Sequence, residues 1–347
     1  MTNQQLSGVA RLIFAAGLSV CTAAGPAFAA EDAKSVYLLG SSASMAGFVP
    51  PPGTYVSSLT YYYAGDGDGA VAASRSLRRL GNIQLSADLT IESQAAIELM
   101  TLLWVAPGKV LGGYFGVGAI LPVGWQNADV DVNARAALTL PNGTTLQASR
   151  RLSLSDDTFA AGDPLATAFI GWHAGNWHWK LAGLLNVPVG SYDKDALVSM
   201  GFNRWAADIS GAVTWLDPKI GFEVSATAGF TFNGENPDTD YKTGTEFHVE
   251  FALMQHLSKA LAVGVAGYHY QQITDDSGAG AKLGGFKGEV TAIGPNLTYN
   301  FALGTVPVAT SVRWLHEFDA KNRLEGNAGF LTVTIPLGGP ARPAPLK

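Results

Sequence analysis

The stretch RWAADISGAVTWLDPKIGFEVSATAGFTF, residues 204–232, decides the fold of this protein. Apolar and polar residues alternate on both sides of a short turn at residues 217–219, and a period of two places each set on one face of a β-strand. Each run is longer than a usual strand of about five or six residues. Trp205 and Trp215 lie near the two ends of the first run. Aromatic residues at both ends of an apolar band are typical of a strand that crosses a bilayer. The hairpin therefore predicts an outer-membrane β-barrel.

Length and composition agree with one large all-β unit. The chain has 347 residues, of which 41 are Gly and 47% are hydrophobic, and its mean hydropathy is +0.15. After residue 30, no run reaches the ~18 apolar residues that a membrane helix needs. This combination fits either a large soluble core or a barrel that turns apolar surface outward. The net charge of −6 predicts no nucleic-acid partner, because nucleic-acid binding requires a basic face.

Residues 1–30 have the pattern of a secretory signal peptide. Arg11 precedes an apolar run, and Ala27-Phe28-Ala29 supplies the small residues of a cleavage site. The alternative is a lipoprotein signal ending at Cys21, which the large Val20 before it disfavours. Cleavage would remove the only cysteine, so the mature chain would contain no disulfide and no cysteine metal site. Its net charge would become 21 − 28 = −7.

Twelve alternating strands are predicted between a strandless lead-in at residues 31–53 and a Pro-rich tail at residues 338–347. They lie at residues 54–63, 83–104, 110–133, 165–173, 177–187, 204–216, 220–232, 245–256, 261–271, 289–301, 306–317 and 330–337. Short connections at 106–109, 175–176, 217–219, 258–260 and 303–305 alternate with long ones at 64–80, 134–163, 188–203, 233–243, 273–286 and 318–327. The connection at 134–163 is predicted to be an excursion with its own hairpin at Pro141-Asn142-Gly143. The alternation predicts an antiparallel up-and-down barrel over residues 54–337, with short periplasmic turns and longer extracellular loops.

The polar phase of these strands predicts the residues that line the lumen. They are Asp88, Glu92, Glu98, Asp129, Asp131, His178, Lys180, Arg204, Asp208, Glu223, His248, Glu250, Arg313 and Glu317. Two roles are open: opposite charges that pair across the lumen brace the wall, and an excess of acid over base selects neutral or cationic solutes over anions.

Three stretches resemble the outer-membrane proteins named for the meta-pathway of phenol degradation. They are GWHAGNWHW at 171–179, TDYKTGTEFH at 239–248 and YQQITDDSGAGA at 270–281. The resemblance extends from about residue 45 to residue 337 and implies a barrel in outer-membrane lipid and lipopolysaccharide that admits small hydrophobic or aromatic solutes. Two features depart from the family pattern: the long connection at 134–163, and the Pro-rich tail in place of a terminal aromatic residue.

The lead-in, over about residues 40–52, is predicted to fold up into the barrel and to plug it partly. It carries apolar side chains that water would solvate poorly, and its prolines fix an extended backbone that cannot join the wall as a central strand. The predicted plug residues are Met45, Phe48, Val49, Pro50, Pro51 and Pro52. The alternative is a periplasmic tail outside the barrel.

No catalytic constellation is present in the sequence, and neither a cofactor nor a metal site is predicted. Acidic loops such as residues 65–69 offer oxygen ligands for Ca²⁺ without a complete ligand pattern, so a solvated loop is expected. The prediction is a passive channel without enzymatic activity. The alternative is a barrel enzyme that acts on lipid, for which His269 on the outward phase near the upper rim is the candidate base.

Overall fold

Strands make up nearly all of the regular structure in the computed structural model, which describes residues 34–77, 81–281, 285 and 287–337. In chain order they are β1 (Gly53–Leu77), β2 (Gly81–Val110), β3 (Gly113–Thr139), β4 (Thr145–Ala161), β5 (Leu165–Ala174), β6 (Trp177–Asn186), β7 (Ala206–Asp217), β8 (Phe222–Asn233), β9 (Glu235–Asn236), β10 (Tyr241–Lys242), β11 (Glu246–His256), β12 (Leu261–Gln272), β13 (Glu289–Leu303), β14 (Val306–Lys321) and β15 (Glu325–Leu337). Within these ranges no helix has the length and apolarity to cross a membrane. The predicted signal peptide and the predicted C-terminal tail lie outside the described residues.

Twelve of the described strands close into one antiparallel barrel. Each wall strand pairs with the wall strands before and after it in the chain, and β1 completes the ring by pairing with both β2 and β15. Three strands stand outside the ring: β4 pairs with the upper part of β3, and β9 and β10 form a small hairpin in the connection between β8 and β11. The predicted fold class, a transmembrane up-and-down barrel, is confirmed.

Several strands are longer than predicted on the extracellular side. The predicted loop at 64–80 is mostly strand, because β1 and β2 stay paired without interruption from Gly53 opposite Val105 to Leu77 opposite Gly81. The predicted connection at 318–327 shrinks in the same way to residues 322–324. Glycine and aspartate at residues 65–69 favour turns locally, but the cross-strand ladder to β2 overrides that preference.

The connections on either side of β3 also differ from the prediction. β3 continues to Thr139, turns through residues 140–144 and returns as the 17-residue β4, so most of the excursion at 134–163 is paired strand. The turn predicted at 106–109 lies farther along the chain. β2 crosses a register shift between Val105 and Lys109 and turns at Leu111 and Gly112, both with positive φ (48° and 78°). Pro107 lies in this bulge, where its lack of a backbone N–H costs no ladder hydrogen bond.

The central hairpin has the register that its alternation predicts. On β7 and β8, Ile209 is 63% exposed and Phe230 43% exposed, whereas Asp208 and Glu223 are buried. Exposed apolar residues continue around the wall and include Trp177, Leu181, Leu253, Leu297, Trp314 and Leu331. An outward apolar band of this kind is the surface that a barrel presents to lipid.

The register of β2 and β3 is opposite to the prediction. Ile91 and Ala95 of β2 are buried, while Met100 and Leu102 on the alternate face are about half exposed, so Asp88, Glu92 and Glu98 lie on the outer face rather than in the lumen. On β3, Val130 is buried, and its neighbours Asp129 and Asp131 likewise point outward. The prediction that these five acidic residues line the lumen is therefore wrong.

The cause is a change of surroundings along the strands. Most of these acidic residues lie on the long extensions of β2 and β3, where the outer face meets water and the inner face packs against apolar groups. Along the outer face of β2 the apolar residues end at Met100, and Glu98 accepts hydrogen bonds from the hydroxyls of Ser58 and Thr60. A rule that assigns polar residues to the lumen holds only where lipid surrounds the wall.

An arginine scan of β7 tests the register. Val213→Arg, which faces lipid, should lower the free energy of unfolding by about 2–4 kcal/mol. Ser210→Arg should have a much smaller effect, because Ser210 borders an internal cavity. Folding titrations into lipid vesicles measure both values. Equal sensitivity at the two positions would contradict the register.

Candidate functional site

The interior of the barrel contains the chain's own N-terminal segment, residues 34–52, which we call the luminal segment. At the periplasmic end, Phe48 lies 5.2 Å and 5.4 Å from the ring centres of His173 and His178, beside the short turn between β5 and β6. At the other end, Lys34 Nζ donates to the carbonyl oxygen of Ser199, 2.8 Å away in the long β6–β7 connection. The segment therefore runs the height of the lumen.

Three buried glutamates of the wall hold the luminal segment. Glu250 accepts hydrogen bonds from the backbone N–H groups of Gly40 and Ser42, both at 2.7 Å. Glu223 accepts from the backbone N–H of Met45 at 2.6 Å and from the hydroxyl of Ser44 at 3.0 Å. Glu246 accepts from the hydroxyl of Ser35 at 2.6 Å.

This arrangement follows from the chemistry of both partners. A buried carboxylate is costly unless several donors satisfy it, and the backbone N–H groups of a wall strand are already used in the ladder. The luminal segment is not a strand, so its N–H groups are free to donate. Hydrogen bonds to charged groups contribute about 1.5–3 kcal/mol each, which makes the three glutamates the strongest anchors of the segment.

Two glycines allow the segment to lie close to the wall. Gly40 has a φ of 81°, and a Cβ there would come within 2.8 Å of the Phe330 ring. A Cβ on Gly47 would overlap the carbonyl oxygen of His178 and lie 2.7 Å from the backbone nitrogen of Thr214. Gly47 also donates its N–H to the Thr214 hydroxyl at 3.0 Å. Any larger residue at these positions would displace the segment.

Aromatic and charged groups complete the contacts on this side. The Tyr37 ring stacks on His248 with centroids 3.7 Å apart and planes 16° apart. His248 Nε2 lies 2.9 Å from the carboxylate of Asp208, and both side chains are buried. Arg313 donates to the carbonyl oxygen of Ser41 at 3.2 Å and lies over the Phe330 ring.

The remaining residues predicted for the lumen have different surroundings. Lys180 borders a cavity, with its Nζ 5.8 Å from the centre of the Phe169 ring. Arg204 is buried and its Nε lies 3.3 Å from Asn233 Oδ1. Glu317 accepts hydrogen bonds from the hydroxyls of Tyr63 (2.8 Å) and Tyr268 (2.5 Å). The selectivity or bracing role of these residues stays a prediction.

Residues 45, 48 and 49 of the predicted plug lie in the lumen, and the prolines lie at its periplasmic end. Val49 is 2% exposed, and its side chain packs so close to Gly171 that a Cβ on Gly171 would overlap the Val49 side chain. The predicted plug residues do not include Ser35 and Tyr37, which contact the wall in the upper half of the segment.

The luminal segment fills one side of the barrel and leaves two cavities on the other. It packs against the apolar cluster that includes Met254, Tyr268, Val290, Leu315 and Phe330 on β11–β15. An upper cavity of about 210 Å³ lies between the segment and β1–β3, lined mainly by apolar side chains such as Leu38, Tyr61, Ile97 and Phe202. A lower cavity of about 250 Å³ follows, lined by residues that include Thr101, Thr167 and Lys180. Tyr37, Leu38 and Leu99 border both.

His269, the candidate base of the enzyme alternative, has a threonine hydroxyl as its hydrogen-bonding partner. His269 Nδ1 lies 2.9 Å from the hydroxyl of Thr291. In the part of the chain that the structure describes, no group of three or more His, Cys, Asp or Glu side chains is arranged to hold a metal ion.

Comparison with known proteins agrees with this architecture. A family model described as "Putative MetA-pathway of phenol degradation" matches residues 64–333. The chain belongs to this family. No curated protein sequence matches it. This chain has the fold of an outer membrane channel from Pseudomonas putida F1. The two structures compare with a TM-score of 0.59 and 14% sequence identity, over 83% of this chain and 97% of that one. A Pseudomonas aeruginosa FadL homologue matches less well, with a TM-score of 0.38 and 10% identity over 84% of this chain and 92% of that one.

Removal of two anchors should release the luminal segment. In the double variant Glu223→Ala/Glu250→Ala we expect a higher single-channel conductance in planar bilayers, because four hydrogen bonds to the segment are lost. Glu289→Ala, which removes only an exposed pair with Lys321, is the matched control. A faster-migrating unboiled band on a detergent gel verifies folding of each variant. Parent-level conductance in the double variant would show that these carboxylates do not hold the segment.

Proposed function

We propose that this protein is an outer-membrane channel for passive uptake of small hydrophobic or aromatic compounds. The observation that carries the proposal is the upper cavity between the luminal segment and β1–β3. It opens into the barrel interior beneath the long connections, and most of its lining is aliphatic or aromatic. A water-filled pore for sugars would instead present polar side chains along its path.

The size of the upper cavity suits a single aromatic ring. A cavity of ~150 Å³ lined by aliphatic and aromatic side chains accommodates benzene, and this one measures about 210 Å³. Among its polar lining residues, Glu317 already accepts hydrogen bonds from the hydroxyls of Tyr63 and Tyr268. A neutral ring can therefore enter without breaking these hydrogen bonds.

Passage requires movement of the luminal segment. The upper and lower cavities are separate, and Tyr37 and Leu38 of the segment border both of them. A small displacement of these two side chains would join the cavities into one route along β1, β2 and β5. The description of the family model refers to phenol degradation and that of the P. putida structure to an outer membrane channel; both support the proposal. The enzyme alternative receives less support, because His269 pairs with a threonine.

Uptake by whole cells tests the proposal. A strain that lacks the protein should take up dilute toluene more slowly than the parent, with sugar uptake unchanged. Ile97→Trp should reproduce the defect, because the larger ring fills the upper cavity, whereas Met100→Trp on the lipid-facing side should not. Equal toluene uptake by the parent and deletion strains at limiting concentration would reject the proposed function.

A reversible cross-link between the luminal segment and the wall tests whether the segment must move for a solute to pass. The hydroxyl oxygens of Ser42 and Thr227 lie 2.7 Å apart, and the only cysteine of the chain, Cys21, lies in the predicted signal peptide. In Ser42→Cys/Thr227→Cys we expect oxidation to abolish toluene uptake and reduction to restore it. The single variant Ser42→Cys controls for the substitution. Unchanged uptake in the oxidised double variant would show that solutes pass a stationary segment.

A further inference from the structure

Four strands continue above the barrel as an open sheet. The pairing of β1 with β15 ends where Asp66 meets Glu325, but β1 to β4 remain paired with one another beyond that level. We call residues 67–77, 81–91, 129–139 and 145–156 the extracellular sheet. Each interior strand of it is paired on both sides.

The outer face of the extracellular sheet is adapted to water. Arg135 lies 3.0 Å from Asp88, and Arg151 lies 2.7 Å from Asp131, which also accepts a hydrogen bond from Ser153. All four side chains of the two ion pairs are between 37% and 67% exposed. The hydrogen bonds from Ser153 and Arg151 lower the pKa of the Asp131 carboxyl below its usual value. This face therefore stays charged and solvated.

The inner face of the same sheet is apolar. Its apolar residues include Ile83, Leu85, Leu89 and Ile91 on β2, Val130, Val132, Ala136 and Leu138 on β3, and Leu152 and Leu154 on β4. Arg150 and Asp156 are the charged residues that β4 places on this face, and Asp156 accepts hydrogen bonds from the backbone N–H groups of Leu197 and Val198. A sheet with water on both sides is expected to be polar on both faces, because antiparallel sheets alternate apolar and polar residues only where one face is covered. The apolar inner face therefore calls for an apolar occupant.

The residues that the structure describes cover only part of this face. Near the barrel, Leu197 and Leu324 pack on the cluster around Ile91 and Val130. Farther out, the cluster around Ala136 and Leu138 draws its described members from the sheet and its β3–β4 turn alone. Leu152 and Leu154 remain 41% and 42% exposed.

The apolar face continues directly into the upper cavity. On β2 the inward row that begins with Ile83 and Leu85 proceeds through Ile91 to Ala95, Ile97 and Leu99, and the last three line the cavity. Leu324 belongs to both places, because it packs on the Ile91 cluster and also lines the cavity. One apolar track therefore connects the tip of the sheet with the barrel interior.

We propose that the inner face of the extracellular sheet binds small neutral apolar solutes and delivers them to the upper cavity. The proposal rests on the proposed channel function, to which it adds the site of capture. Continuity with a cavity of single-ring size favours a small solute over a second copy of the chain, since a protein partner would gain nothing from a track that leads into the lumen. The solute moves along the track by exchange between aliphatic contacts.

Photolabelling of the full-length protein in nanodiscs tests the site. The probe is 3-trifluoromethyl-3-phenyldiazirine, a small neutral aromatic compound, and mass spectrometry locates the labelled residues. We expect labels on the inner face, at Leu152 and Leu154 above all, and a loss of these labels with excess toluene. Labels no denser there than on the outer-face residues Ser153 and Ser155, or labels that toluene does not displace, would overturn the proposal. Inner-face residues protected in a dimer seen by native mass spectrometry would overturn it as well.

Uptake kinetics supply an independent readout. Leu152→Ser/Leu154→Ser should reduce toluene uptake severalfold at limiting concentration and leave the saturated rate unchanged, because capture is weakened while the cavity is intact. Ser155→Asn on the outer face is the matched control, and the gel-mobility shift verifies folding. Parent-like uptake at limiting concentration would overturn the capture site even if the parent protein transports toluene. A parent protein that does not transport toluene would instead reject the channel function.

Discussion

Buried carboxylates that need donors are the constraint on which the interior of this barrel depends. Glu223, Glu246 and Glu250 lie on strands whose backbone N–H groups are committed to the wall, so their donors are wall side chains, such as His256 and Tyr270, and groups of the luminal segment. The luminal segment provides several of these donors, because its irregular backbone leaves N–H groups at Gly40, Ser42 and Met45 unpaired by any strand. The wall and the segment thus satisfy each other, and neither arrangement would be stable as a dry interior alone.

The position of these carboxylates also explains where the lumen is open. All three lie on β8 and β11, so the segment is drawn against that side of the barrel and packs on the small and aromatic side chains of β11–β15. Most of the lining of the two cavities comes from the segment itself and from β1–β3, β5 and β6, with a smaller share from β7, β8, β12 and β14. The asymmetry of the lumen therefore follows from the placement of a few charges, and barrel diameter alone would not produce it.

The sequence predicted the barrel well wherever lipid surrounds it. Alternation located all twelve wall strands, and it placed Asp208, Glu223, His248 and Glu250 on the buried face because the opposite face must be apolar. The prediction wrongly placed Asp88, Glu92 and Asp131 in the lumen, because alternation shows that a strand has two different faces but does not show whether the outer face meets lipid or water. The anchoring of the segment was beyond reach for another reason. Glu250 and Gly40 are 210 positions apart, and no local pattern joins an acidic residue to a distant backbone N–H.

The inner row of β2 shows how the two parts of the molecule are related. Its outer row changes from charged at Asp88 to apolar at Met100, as the surroundings change from water to lipid. The inner row stays apolar from Ile83 to Leu99 with Ser93 as its polar member near the middle, although the described part of the luminal segment, which begins at Lys34 beside Ser199, lies below the tip of the sheet. Sealing against the segment accounts only for the lower half of that row. The upper half lies on the same side of the barrel as the cavities, so the polarity of the extracellular sheet and the placement of the glutamates, two unrelated features, both favour this side for the proposed uptake route.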